Sequence, residues 1–217
     1  MHTLGVSELL DLWDAGQDAS PMRRTILLLR AVFPEESQVE QWPSGLLSRR
    51  LLTLRARLFG AELVCLADCQ ACGAVGEISI PLPLTSNDGQ HAAAESAVAR
   101  HRITEVGANL ESPGPNADDL LNFDHAARPA ETFLLARVVE RAWREGAAPT
   151  TADTSGTVHA ALERRIGEID PLTRIELVFT CPACRYGWRE DFHIIDVLWM
   201  EIGALAKQLL GNLGRLP

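Results

Sequence analysis

Glu62-Leu63-Val64-Cys65-Leu66, Cys69-Gln70-Ala71-Cys72-Gly73 and Glu77-Ile78-Ser79-Ile80 follow one another closely and read as strand, tight turn, strand. The same grammar returns near the other end of the chain. There Arg174-Ile175-Glu176-Leu177-Val178-Phe179 leads into Cys181-Pro182-Ala183-Cys184, and Trp188-Arg189-Glu190-Asp191-Phe192 leads out. One structural unit is used twice. Two residues between cysteines let both thiolates of a tight turn point at one ion, and zinc takes four such ligands tetrahedrally at about 2.3 Å. Cys69, Cys72, Cys181 and Cys184 are therefore the candidate metal ligands, each pair supplying half a structural zinc site. The halves are separated by 181 − 72 − 1 = 108 residues, so closing the site clips two distant hairpins together. The fold expected is α+β, with helices around a small antiparallel, zinc-ribbon-like sheet formed by the two hairpins.

Two other readings of the cysteines stay open. Cys181-Pro182-Ala183-Cys184 matches a thiol-redox motif, although such a motif sits where a strand enters a helix N-terminus, and here a strand follows instead. The four cysteines could also be core residues with a vestigial site. Cys65, in the apolar setting Leu63-Val64-Cys65-Leu66, reads as a small buried hydrophobe.

A four-thiolate shell leaves no open coordination position, so catalytic zinc is not expected. His193, close to the second pair, reads as a turn or cap at the start of the last helix, and the other histidines are scattered. No glycine-rich phosphate loop, HExxH or nucleophile constellation is present, and Glu35-Glu36 and Asp118-Asp119 read as loop and helix-start acids. No catalytic and no organic-cofactor residues are assigned, and the chain is expected not to be an enzyme.

Outward from the cysteines, residues 1–60 read as helical. Ser7 is the expected cap of a helix over Glu8 to Ala15, Ser20-Pro21 opens a second to about Phe33, and a third fits Ser44 to Phe59 with Leu47, Leu51, Leu54 and Leu58 on one face. Residues 61–84 and 171–193 are the two hairpins. Residues 85–170 read as an insert, mostly helical: loops at Pro81 to Ala99, Leu110 to Asn116 and Gly146 to Gly156, a short strand at His101 to Val106, and helices at Asp118 to Phe123, Ala130 to Glu145 and Thr157 to Glu168. Residues 194–217 carry a last helix to about Leu213, with Ile195, Leu198, Trp199, Ile202, Leu205, Leu209 and Leu210 at helical spacing and Val197 and Met200 making its first half apolar nearly all round. These parts are expected to form one compact domain.

The 217-residue chain is 47% hydrophobic, enough for a buried core, and its 20 Lys+Arg against 29 Asp+Glu give a formal charge of −9. Nucleic acid is not an expected partner, because a polyanion needs a cationic surface. Arg49, Arg50, Arg55 and Arg57 are expected on a solvated or ion-paired helix face. Asp196 and Glu201 interrupt the longest apolar candidate, so no membrane span is expected, and the start of the chain reads as that of a cytoplasmic protein.

Leu9-Leu10-Asp11-Leu12-Trp13-Asp14-Ala15-Gly16, Pro21 to Leu29, Leu51 to Gly60, the pair Cys69 and Cys72 with Gly73, Asp119-Leu120-Leu121, Cys181-Pro182-Ala183-Cys184 and Phe192 to Ile202 occur in this order. In that order the chain resembles zinc-ribbon-containing proteins of phage-tail-like contractile injection systems, related to baseplate hub-assembly proteins of contractile-tailed phages. It departs from their pattern in having Gln70 after the leading cysteine and Arg185 in place of a glycine, neither of which removes a thiolate. The resemblance implies a non-enzymatic structural or assembly role, with other baseplate or hub proteins as partners and incorporation into the assembled particle. A zinc-ribbon adaptor in another complex, such as transcription machinery, and a CxxC thiol oxidoreductase are the alternatives.

Overall fold

The computed structural model describes residues 1–81, 101–105, 108–112, 116, 117, 121, 141–144, 164, 167, 168 and 170–213. Among them it is an α+β protein of long helices and small antiparallel sheets.

Helix α1 (Val6–Ala15) starts earlier than expected, with Gly5 rather than Ser7 at its cap. The reason is Glu8 in the first turn: its carboxylate reaches back to accept the Gly5 N–H at 2.8 Å, leaving Ser7 inside the helix. Helix α2 (Pro21–Val32) opens as expected, the Ser20 hydroxyl accepting from the Arg23 N–H at 3.4 Å, with Pro21 fitting the first turn where no N–H is needed. Helix α3 (Ser44–Phe59) ends at Gly60, whose φ of +92° a side chain would resist. Helix α4 (Ile194–Leu213) packs against α1, α2 and α3 together.

The core is the meeting of the apolar stripes of these helices. Leu28, Leu29 and Val32 of α2, Leu47, Leu51, Leu52 and Leu54 of α3, and Leu198 and Ile202 of α4 are all buried. Helix α4 buries a narrower stripe than its composition suggested: Leu205 and Leu209 are half-buried, while Met200 is 68% and Leu210 48% exposed. Helices α1 and α4 approach closely because each meets the other's tryptophan with a glycine. A Cβ built on Gly16 would lie 2.2 Å from the Trp199 ring, and one on Gly203 would lie 3.1 Å from Nε1 of Trp13. Arg24 closes the corner, its guanidinium 5.0 Å from the centroid of the Trp199 ring and donating to the carbonyls of Gly16 (3.0 Å) and Gln17 (2.8 Å).

Strands β1 (Glu62–Asp68) and β2 (Val75–Pro81) form one antiparallel hairpin and β6 (Ile175–Thr180) and β7 (Gly187–Phe192) another, each a separate two-stranded sheet and not the single sheet expected of the two together. At their roots Leu63, Ile80, Ile175 and Phe192 join the helical core. One arginine of the basic cluster on α3 is ion-paired, one of the two arrangements expected of that face, but it lies in the interior and not on the surface. Arg55 is buried, 3% exposed, and its Nε and Nη2 donate to the two carboxylate oxygens of Glu201 on α4 at 3.0 and 2.7 Å. Its Nη1 donates to the carbonyls of Gly60 and Glu62 at 2.6 and 2.8 Å, where α3 turns into β1.

The insert departs from the sequence expectation. Strands β3 (His101–Glu105), β4 (Ala108–Ser112) and β5 (Arg141–Arg144) make an antiparallel sheet in the order β3-β4-β5. The short strand lies where expected, but residues 110–112 pair instead of looping, and residues 141–144 pair with β4 instead of ending a helix. Helix preference differs between ordinary residues by only a few tenths of a kcal/mol, so ladder bonds to a strand distant in sequence override it. Most residues of the other helices and loops expected in the insert lie outside the described residues.

The Arg55–Glu201 pair yields a test. Glu201→Ala leaves a buried guanidinium without its carboxylate and is expected to cost about 3 kcal/mol in urea denaturation. Replacing both residues by Met is expected to cost less than the sum of the two single changes.

Candidate metal centre

The two hairpin turns are the same object built from different sequences. In the first, the Cys69 N–H donates to the Ala74 carbonyl at 2.9 Å and the Gly73 N–H to the Cys69 carbonyl at 2.8 Å. In the second, the Cys181 N–H donates to the Tyr186 carbonyl at 2.8 Å and the Arg185 N–H to the Cys181 carbonyl at 2.9 Å. Asp68 pairs with Val75 and Thr180 with Gly187, so both ladders stop immediately before the leading cysteine. Each turn closes through a left-handed residue, Gly73 at φ +68° and Arg185 at φ +65°. The arginine takes, at some cost, a conformation that glycine adopts without penalty.

These matched turns bring all four candidate ligands to one point. The four Sγ atoms lie within 4.8 Å of one another, with Cys69 to Cys184 at 3.6 Å and Cys72 to Cys181 at 3.7 Å. A tetrahedron of sulfurs about 2.3 Å from a central ion has edges of about 3.8 Å, so the cage has the dimensions of a four-thiolate site. Cys69 and Cys181 are buried, while Cys72 and Cys184 are exposed. The group could hold a metal ion and contains no histidine or carboxylate. His193 stands apart from it and starts α4 through its carbonyl, which accepts from Asp196 at 3.1 Å and Val197 at 3.4 Å.

The thiols differ in acidity. Backbone N–H groups of Cys184 and then Ala183 aim at the sulfur of Cys181 and lower its pKa to about 6, against the cost of burial. Cys184 receives a backbone hydrogen bond from Tyr186, which lowers its pKa, but burial and the neighbouring sulfurs together push it up to about 12. The Cys181 sulfur is thus favoured as a thiolate, while Cys184 beside it is held as a thiol. A divalent cation held by the four sulfurs would favour the thiolate form of each and would release protons on binding.

The faces behind the turns are half-buried. Cys65 on β1 is half-buried where a buried hydrophobe was expected, and burial, and secondarily the Glu190 carboxylate on β7, raise its pKa. Phe179, 7% exposed, stacks on Trp188 with ring centroids 5.2 Å apart, and Tyr186 also stacks on Trp188 at 6.3 Å. The sequence reading did not single out this aromatic stack. Its signal was the cross-strand register, which sets Phe179 directly opposite Trp188.

Comparison of the chain with protein-family models, curated proteins and solved structures returns no match.

Two outcomes follow from the site. Arg185→Gly relieves the left-handed backbone and is expected to stabilise the protein by about 1 kcal/mol, read as a rise in thermal midpoint. Because coordination requires thiolates, apparent metal affinity is expected to weaken as pH falls from 7.5 towards 5.5, where Cys181 also becomes protonated. Competition with a chromogenic chelator at the two pH values measures this, and equal affinities would exclude thiolate ligation.

Proposed function

We propose that this chain is a non-enzymatic structural or assembly protein of the baseplate of a contractile, phage-tail-like particle, with one structural zinc ion closing its two hairpins. The observation that carries the zinc part is the convergence of four sulfurs, from turns 108 residues apart by 181 − 72 − 1, at the spacing of a tetrahedral thiolate cage. Zinc is the favoured ion because an all-sulfur tetrahedral set suits it or iron, and zinc needs no redox partner. A closed set of four ligands has no place for substrate, which supports a structural use. Cys181, whose lowered pKa would suit a redox nucleophile, is 1% exposed, out of reach of a protein disulfide. The baseplate part rests on the resemblance carried by both cysteine pairs, the leucine-rich helices and the stretch Leu198-Trp199-Met200-Glu201-Ile202.

Elemental analysis of the purified protein is expected to give one zinc per chain, lost in Cys181→Ser together with several kcal/mol of stability. Metal-free protein with an unchanged melting curve would sink the zinc assignment. For the role, electron microscopy of particles from a strain lacking the gene is expected to show missing or baseplate-less particles. Mass spectrometry of wild-type particles then separates a resident subunit from a departing assembly factor. Normal, functional particles would shift the reading to a zinc-ribbon adaptor elsewhere.

A further inference from the structure

We propose that the open edge of β1 is a docking site for an extended segment of another protein whose alternate residues run basic, apolar, apolar, basic. The inference concerns the surface and its partner's chemistry, and does not depend on which complex the protein serves.

Strand β1 alternates cleanly, with Leu63 buried and Cys65 and Ala67 half-buried on one face, and Glu62, Val64, Leu66 and Asp68 exposed on the other. Val64 is 53% and Leu66 73% exposed, and Val75, directly opposite Asp68, adds a third apolar side chain at 63%. Directly opposite residues of an antiparallel pair share a face, so these side chains form one patch with Glu77, which lies opposite Leu66. β1 pairs with β2 along one edge and, among the described residues, with no strand along the other. An isolated two-stranded ribbon is marginal in water, and an edge lined with Val and Leu invites a further strand.

The second hairpin provides an internal control, being the same unit with a different outer face. There Arg189 donates to Glu176 at 2.8 Å and Arg174 to Asp191 at 2.8 Å, neutralising the acids across the strands around a single exposed valine, Val178. On the first hairpin the exposed charges are all carboxylates. The Ser79 hydroxyl donates to Glu62, and among the described residues no cation pairs with Asp68 or Glu77. An apolar pair bracketed by Glu62 and Asp68 is complemented across an open edge by an apolar pair bracketed by Lys or Arg. The bracket is symmetric, so the motif is the same whether the incoming strand runs parallel or antiparallel. Strand addition of this kind takes affinity from the main chain and specificity from alternate side chains.

The test is peptide display selected on the full, zinc-loaded chain. Enriched sequences are expected to carry Lys or Arg bracketing two apolar residues at alternate positions. A synthetic peptide of that pattern is expected to bind Val64→Thr/Leu66→Thr about tenfold or more weakly, and Val178→Thr unchanged. Its binding is expected to weaken more in Asp68→Asn/Glu77→Gln than in Asp11→Asn/Asp14→Asn, which removes the same charge from exposed positions of α1. Amide shift changes on the wild-type chain, independent of how any variant folds, are expected to centre on residues 62–68. Selection of no such pattern, or shift changes centred elsewhere, overturns the proposal. So does a dimer of this chain that dissociates in Val64→Thr/Leu66→Thr, because a second copy would then be the occupant. Normal particles from a strain lacking the gene would remove the baseplate reading and leave this one standing.

Discussion

Four cysteine sulfurs from turns far apart in the chain lie within 4.8 Å of one another, and both hairpins carry their tips to that one place. A two-stranded ribbon is marginal by itself in water, and among the described residues there are two of them, with different side chains at matching positions of their outer faces. What they share is the turn: the same pair of backbone hydrogen bonds and the same left-handed closing residue, glycine once and arginine once. The shared turn makes their thiols complementary halves of a single cage. The ordering entropy of joining such distant segments grows only logarithmically with their separation, so the proposed zinc would offset it.

A second tie holds the opposite ends of the hairpins. The first hairpin leaves α3 at Gly60, and the second runs into α4 at His193. Arg55 of α3 grips Glu201 of α4 and at the same time takes the carbonyls of Gly60 and Glu62. The helix that launches one hairpin is therefore fastened to the helix that receives the other. Roots are fixed by this buried ion pair and by Leu63, Ile80, Ile175 and Phe192 in the core, while at the tips the four cysteines come together. A buried pair of this kind gains less from its own attraction than it would lose if half of it were removed, so it specifies geometry more than it adds stability.

With both ends fixed, the outer faces of the hairpins are free to differ. One is neutralised by cross-strand ion pairs and the other keeps an acidic, apolar surface along an open edge. The proposed docking edge calls for a strand that does not shift register, and a ribbon held at its root and closed at its tip by the proposed zinc would supply one. The proposed zinc thus acts at a distance from any partner, by stiffening the strand that would meet it.

Much of this was legible beforehand. Local signals placed α2 and α3 closely: Ser20-Pro21 and Gly60 act within a residue or two of themselves, and leucine spacing marks a buried face wherever the helix ends up. The paired CxxC turns announced the ligands because thiol spacing is a property of the turn alone. Other features were decided only by tertiary structure. Residues 141–144 became a strand because β4 lay beside them, and no local preference of a few tenths of a kcal/mol resists a ladder supplied from elsewhere. Arg55 was buried because Glu201 and two carbonyls converge on it from other elements, and Gly16 and Gly203 mattered only once a tryptophan of the facing helix arrived. Sequence by itself determined what each segment wanted to be and which atoms could bind metal. Which face each hairpin turned to solvent, and with what charge, depended on contacts between segments that are distant along the chain, and those exist only in the folded molecule.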